Sequence, residues 1–166
     1  MSTGFVPASV YLLLGANLGD KQQMFTDARR YIAGQIGPVT AQSRLYESEA
    51  WGVADQPTYL NQVLVVATYL EPAEVLSRTQ AIEERLGRVR VEKWGSRVID
   101  IDMLFYDAQI ICTPTLTVPH PLLHERRFTL VPLAEIAPDF VHPVLKQPVQ
   151  ALLESCADKS EVIKFS

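Results

Sequence analysis

Four β-prone runs and two helical stretches, in the order β-α-β-β-α-β, followed by a proline-rich extension, predict an α+β fold. That order is the ferredoxin-like βαββαβ core, in which one antiparallel sheet carries both core helices on one face. Helices in the C-terminal extension are expected to cover the opposite face and complete a three-layer α/β/α sandwich. A single domain, 1–166, follows from the length: 166 residues bury a real core, and no linker, repeat or low-complexity tract divides them.

The first run, SVYLLLG (9–15), is apolar and closed by glycine, the pattern of a buried strand. Within 19–37, Met24, Ala28, Tyr31 or Ile32, and Gln35 or Ile36 recur at helical spacing, and Gly37-Pro38 stops the helix. VTAQSRLYES (39–48) alternates and predicts a strand, and YLNQVLVVATYL (59–70) predicts a long one. Pro72 opens the second helix, Val75, Leu76, Thr79, Ile82 and Leu86 form its apolar stripe, and Gly87 stands just past its end. RVRVEKWGS (88–96) is polar and basic, a loop. RVIDIDMLF (97–105) is the next strand, and YDAQIIC is expected to turn it into a short edge strand. Seven of the eleven prolines lie beyond residue 113, which predicts a segment rich in turns. Within it, RRFTLVPLAEIA (126–137) predicts a helix interrupted near Pro132, and PVQALLESCA (148–157) a terminal helix.

Apolar residues make up 48% and charged residues 20%, as in an ordinary soluble globular protein. A net charge of −4 argues against a general nucleic-acid or membrane-surface binder, while leaving room for a local basic patch. Cys112 and Cys156 make no disulfide framework and read as free thiols in a reducing compartment. The N-terminus has no basic n-region, and the run Val10–Leu14 is too short for a signal peptide or a membrane span. A complete, cytoplasmic protein is the expectation.

The 97–105 strand raises a chemical question, because it carries Asp100 and Asp102 in an apolar context. Alternate strand residues share a face, about 6–7 Å apart, so both carboxylates point one way. Ile99, Ile101, Met103 and Phe105 are expected to point the other. At that separation the two charges repel by about 0.6 kcal/mol in water and about 2.5 kcal/mol at an effective dielectric of 20. On an open face the pair needs no partner. In a cleft it suits Mg²⁺, which takes one or two carboxylates and leaves its other positions to water and substrate phosphates.

Arg85, Arg88, Arg90, Lys93 and Arg97 crowd the segment just upstream, around Trp94-Gly95. Taken alone they describe a solvated basic loop, partly balanced by Glu83, Glu84 and Glu92. Beside two carboxylates they match the demands of phosphoryl transfer, with cations on the phosphates and metals held by acids. GANLGDK (15–21) is not a P-loop, since its glycine spacing is wrong and no Gly-Lys-Ser/Thr follows. Gly15 fits better as a strand-end glycine that lets a ligand approach the backbone. Tyr59 and Asn61 share a face at the entry to their strand: one offers a stacking surface, the other both donors and an acceptor. His120 and His124 are four apart, but Pro121 between them argues against a helical zinc pair. A loop whose histidine and arginines (Arg126, Arg127) meet phosphates fits better, with Phe128 next to them.

Taken together, GANLGD, DQPTYLNQV, ERLGRVR, WGSRVIDIDMLF and LTVPHPLLHERRFTLVPLAEIAP resemble the 6-hydroxymethyl-7,8-dihydropterin pyrophosphokinases of folate biosynthesis. The resemblance runs from about Val10 to Pro143. It implies transfer of pyrophosphate from ATP to the pterin hydroxymethyl group, releasing AMP. Asp100 and Asp102 would then hold two Mg²⁺ ions on the triphosphate. Arg88 and Arg97 would belong to a catalytic loop, with Arg97 clamping phosphate, and Trp94 would help seal the pterin site. His120 and Arg126 would contact ATP phosphates. The pterin would lie between Tyr59 and Phe128, with Asn61 on its amide edge and Gly15 and the Ser48–Trp51 loop completing the pocket. Glu83 would neutralise a neighbouring basic group. The chain would act as a monomer on small molecules, with no nucleic acid or membrane involved.

The chain departs from the family pattern at Ser48, Glu49 and Ala50, where Thr-Pro or Pro-Pro is frequent, and at Lys93 and Ser96 beside Trp94-Gly95. Two other classes remain open at this point: a ferredoxin-like module that senses a small molecule without catalysis, and a nucleotidyltransferase that uses the same acidic pair and releases pyrophosphate.

Overall fold

In a computed structural model of the chain, residues 6–49, 58–87 and 99–165 are described. The elements are β1 (Ala8–Ala16), α1 (Lys21–Gln35), β2 (Val39–Gln42), β3 (Tyr46–Ser48), β4 (Tyr59–Thr68), α2 (Pro72–Gly87), β5 (Asp100–Tyr106), β6 (Ile111–Cys112), β7 (Thr117–Val118), α3 (Arg127–Ile136), α4 (Val149–Glu154) and β8 (Val162–Lys164). The main sheet runs β5-β1-β4-β3-β8, with β2 also on β4, and every pairing is antiparallel. Each crossover helix skips one strand, as the predicted split order requires.

Alternation along β1 and β4 sorts the core into two layers. Val10, Leu12, Leu14, Leu60, Leu64 and Val66 face α1 and α2, where they meet Phe25, Ala28, Ile32, Val75 and Ile82. Leu13, Val63, Leu104 and Phe105 face the other way, onto Leu130 and Leu133 of α3 and Leu152 of α4. The expected three-layer sandwich is therefore present. Asp20 caps α1 through a bond from the Gln23 N–H at 3.1 Å. At Gly37 an added Cβ would come within 1.9 Å of the Ala67 carbonyl oxygen, so only glycine lets the α1–β2 turn close against β4.

Several expectations need correction. The 39–48 strand is two strands, because the Ser43 hydroxyl takes over the ladder: it accepts the Val63 N–H at 3.0 Å and donates to the Arg44 carbonyl at 2.7 Å. β4 ends at Thr68, whose hydroxyl accepts the Leu70 N–H at 3.1 Å and turns the chain. Gly87 is the last residue of α2 rather than the first beyond it. Phe105 does not share a face with Ile101 and Met103: the β1–β5 register shifts between Tyr11 and Leu12, and the bulge turns Phe105 into the α3 layer. Ile111–Cys112 pairs with Thr117–Val118 as a separate hairpin and not as an edge of the main sheet. Pro132 lies inside an unbroken α3, where one missing N–H bond is tolerated in a helix that buries Leu130, Pro132 and Leu133. The terminal helix is shorter than expected, and the chain then returns as β8, which the sequence did not announce. The basic loop 88–96, and residues 97 and 98 of the predicted strand, lie outside the described residues.

Candidate active site

The sheet face under α3 opens at one end into a cleft of about 740 Å³. The register explains what meets there. Gly15 of β1 stands between Asp100 of β5 and Asn61 of β4, and Leu13 lies opposite Asp102. Asp100 and Asp102 therefore share the face expected of them, both half-buried on the cleft wall. Between them, the Ile101 N–H faces the open edge of β5 and donates to Glu83 Oε2 of α2 at 2.6 Å. Glu83, expected from the family resemblance to neutralise a neighbouring basic group, helps hold the acidic strand through this bond.

Gly15 lies close against a neighbouring side chain. An added Cβ would come 2.9 Å from Asn61 Nδ2. Asn61 is buried, its Nδ2 donates to the Leu14 carbonyl at 3.3 Å, and its Oδ1 has no hydrogen-bond partner among the described residues. A buried acceptor without a donor costs free energy that an incoming N–H would recover. Tyr59 lies one pleat further along the same face, where its strand entry is pinned by Lys21 Nζ donating to the Thr58 carbonyl at 2.9 Å. Ser48 of β3, opposite Tyr59, completes that wall.

The far wall comes from the segment before α3. His120 N–H donates to the Leu104 carbonyl at 3.0 Å, which ties this segment to β5. Its Nδ1 accepts the Leu122 N–H at 3.1 Å, so a neutral ring carries its proton on Nε2. Burial holds the His120 pKa below its usual value; Asp102 opposes this and Arg126 adds to it. Arg126 and Phe128 line the cleft, with the guanidinium 5.6 Å from the ring centroid. Glu135 fixes α3 over the sheet by accepting the Tyr46 hydroxyl at 2.7 Å and the Arg44 N–H at 3.1 Å.

Eight residues singled out in the sequence thus line one cleft: Gly15, Ser48, Tyr59, Asn61, Asp100, Asp102, Arg126 and Phe128. His120 stands beside it, within electrostatic range of Asp102 and Arg126. Trp51, Arg88, Trp94 and Arg97 lie outside the described residues. Sequence reasoning missed Leu13, Leu122, Glu125 and Asp158, and it left Glu49 without a place. Leu13 could have been found from strand alternation with Gly15, whereas nothing near Asp158 in the sequence signals the cleft.

The described lining carries five carboxylates (Glu49, Asp100, Asp102, Glu125, Asp158) against one guanidinium, Arg126. Such a wall repels a polyphosphate unless cations intervene. No group of three or more His, Cys, Asp and Glu that would cage a metal occurs among the described residues. Two carboxylates facing an open cleft fit Mg²⁺, which needs few protein ligands.

His120 and His142 make stability depend on pH. His142 Nδ1 accepts the Val144 and Leu145 N–H groups at 3.1 and 3.0 Å, and burial, then His124, lowers its pKa. The unfolded chain binds protons near the ordinary histidine value of about 6.5, before the folded chain does. The stability from keeping both rings neutral is thus complete above that pH. It is lost as pH falls through the lowered folded values. Thermal melts from pH 8 to pH 5 are expected to show a constant Tm down to about 6.5 and a falling one below it. A Tm that rises on acidification in that window contradicts this.

The family description 7,8-dihydro-6-hydroxymethylpterin-pyrophosphokinase (HPPK) matches residues 11–138. A relative from Aquifex aeolicus, named 2-amino-4-hydroxy-6-hydroxymethyldihydropteridine pyrophosphokinase, is 41% identical over 143 residues, 86% of this chain and 89% of the relative. A protein of the same name from Methylorubrum extorquens is 46% identical over 132 residues, 79% of this chain and 84% of the relative. Among solved structures, a triple mutant of Plasmodium falciparum HPPK-DHPS with SDX-DHP superposes with a TM-score of 0.73 at 17% identity, covering 92% of this chain and 42% of that one. At that identity the likeness speaks for the fold alone, and the present chain spans less than half of that longer protein.

Proposed function

The chain belongs to the 7,8-dihydro-6-hydroxymethylpterin-pyrophosphokinase family, and from that premise we propose how its cleft transfers pyrophosphate from ATP to 6-hydroxymethyl-7,8-dihydropterin. AMP and the pterin diphosphate are the products. The observation that carries the proposal is that one cleft joins an acidic pair, Asp100 and Asp102, to a flat, hydrogen-bonding set, Tyr59, Asn61 and Phe128.

In this reading the pterin slots between Tyr59 and Phe128, and its amide edge donates to Asn61 Oδ1, which has no partner among the described residues. Ser48 and the Gly15 backbone close the pocket, with Trp51 and Trp94 assigned to the same substrate. His120 and Arg126 take ATP phosphates; a neutral His120 offers its Nε2–H as a donor, and Arg126 a guanidinium fork. Arg88 and Arg97 are assigned to the phosphates as well. Asp100 and Asp102 would hold two Mg²⁺ ions, which when bound lower the charge on the triphosphate. The protein's own task is alignment. The hydroxymethyl oxygen approaches the β-phosphorus in line and gives up its proton to a cleft carboxylate or to water, an O–P bond forms, and the bond from the β-phosphorus to the α,β-bridging oxygen breaks as AMP leaves.

The enzyme is proposed to work as a monomeric single domain in the cytoplasm; no helix among the described residues is long and apolar enough to cross a membrane. The functional test is product identity, read by ³¹P NMR after incubation with MgATP and the dihydropterin alcohol. AMP together with a pterin diphosphate is expected. ADP as product, release of free pyrophosphate, or no turnover beside an active control overturns the proposal.

A further inference from the structure

The C-terminal segment brings a carboxylate into the cleft that the reaction so far leaves unused. After α4 the chain returns along the sheet: β8 pairs with β3, Tyr46 opposite Lys164 and Ser48 opposite Val162. The Phe165 N–H then donates to the Leu45 carbonyl at 2.8 Å. Asp158 lies between α4 and β8, half-buried, and lines the cleft with Arg126 and Phe128. Its Oδ2 accepts the Arg127 backbone N–H at 3.0 Å. Its Oδ1 accepts the Ser160 N–H at 3.0 Å and the Ser160 hydroxyl at 2.6 Å. Burial pushes this carboxyl up, but the Ser160 and Arg127 bonds and the Arg127 charge outweigh it and hold the group below its ordinary value. It is ionised at neutral pH.

Arg127 is the first residue of α3, and Arg126 before it makes no side-chain capping bond. The opening N–H groups of a helix have no partner inside it. Asp158 supplies one from 31 residues further along the chain, and a negative charge at a helix start is favourable. Arg126 and Phe128 flank the residue it holds. One carboxylate therefore fixes the backbone between two side chains assigned to different substrates.

We propose that Asp158 is a positioning residue for both substrates: by capping α3 at Arg127 it sets Arg126 against the ATP phosphates and Phe128 against the pterin. This rests on the substrate assignments made under the proposed function. The test measures KM for each substrate in Asp158→Ala, Asp158→Asn, Arg126→Ala and the Asp158→Ala/Arg126→Ala double variant. Asp158→Ala is expected to raise both KM values about tenfold, the effect of one lost hydrogen bond to an ionised group. Asp158→Asn keeps an oxygen for the Arg127 N–H and recovers most of that loss. Once Arg126 is gone, Asp158→Ala no longer changes the ATP KM but still raises that of the pterin, a coupling that a double-mutant cycle reads directly.

In ligand-free protein the Arg127 amide resonance is expected to move upfield in Asp158→Ala, whatever the catalytic state. Both KM values within twofold of wild type, with only Tm reduced, would make Asp158 a staple for the tail and overturn the proposal. An ATP effect undiminished in the Arg126→Ala background overturns it too, and so does an unmoved Arg127 amide. Failure of the wild type to make AMP instead counts against the proposed function, and the amide result then decides whether the capping contact exists.

Discussion

Replacing Asp100 and Asp102 together by asparagine is expected to lower turnover at least about a thousandfold, ~4 kcal/mol of transition-state stabilisation. Asparagine keeps the shape of each side chain and removes the charge that would hold a divalent cation. The fold is expected to survive. β5 is held by its pairing with β1 from Val10↔Tyr106 to Gly15↔Asp100, by the Glu83 bond to the Ile101 N–H, and by Ile101 and Met103 in the core. The two carboxylates are half-buried on the wall of a cleft, outside the apolar core. Tm is expected to stay within about 3 °C of wild type, the shift produced by under ~1 kcal/mol in a domain of this size. Retained turnover, or collapse of the fold, contradicts the assignment. A binding module without catalysis would hold its ligand equally well before and after the change, so pterin and nucleotide binding measured on the same variant separate the two classes.

Asn61→Leu is expected to separate stability from function. Asn61 is 3% exposed, and its Oδ1 is a buried acceptor with no partner among the described residues, a state that costs about 1–3 kcal/mol. Leucine has a similar shape and removes that cost. The bond it sacrifices is the long one, 3.3 Å, to the carbonyl of Leu14, which lies in a strand paired on both sides. Ligand-free Tm is therefore expected to hold or rise. Against this, kcat/KM for the pterin is expected to fall about a hundredfold, because the amide edge of the ring loses its acceptor and is left unpaired in the pocket. KM for ATP is expected to change less than about threefold, an effect under ~1 kcal/mol. A destabilised variant that binds the pterin normally reverses both signs and removes Asn61 from the pocket.

Much of this was legible because local rules and tertiary structure agree. Alternation put Asp100 and Asp102 on one face, and the sheet kept them there. Proline at the start of α2 and glycine at its end marked that helix to within one residue. The failures share a cause: a nonlocal bond overrode a local pattern. Ser43 looks like one more alternating residue until its hydroxyl meets the Val63 N–H. Phe105 fits the strand period, but a bulge against Tyr11 and Leu12 turns it over. β8 is a weak strand by itself and exists because β3 offers an edge. Asp158 is the sharpest case. It is one acid in a polar tail, and only the return of the chain to β3 brings it to the first residue of α3.

The most direct test of the central claim is a crystal structure of the enzyme with Mg²⁺, a non-hydrolysable ATP analogue and the dihydropterin alcohol. Metal density against the carboxylates of Asp100 and Asp102 is predicted, with the polyphosphate reaching His120 and Arg126. The pterin should be stacked between Tyr59 and Phe128, its edge on Asn61. Nucleotide bound elsewhere, with both aspartates touching only water, would contradict the account.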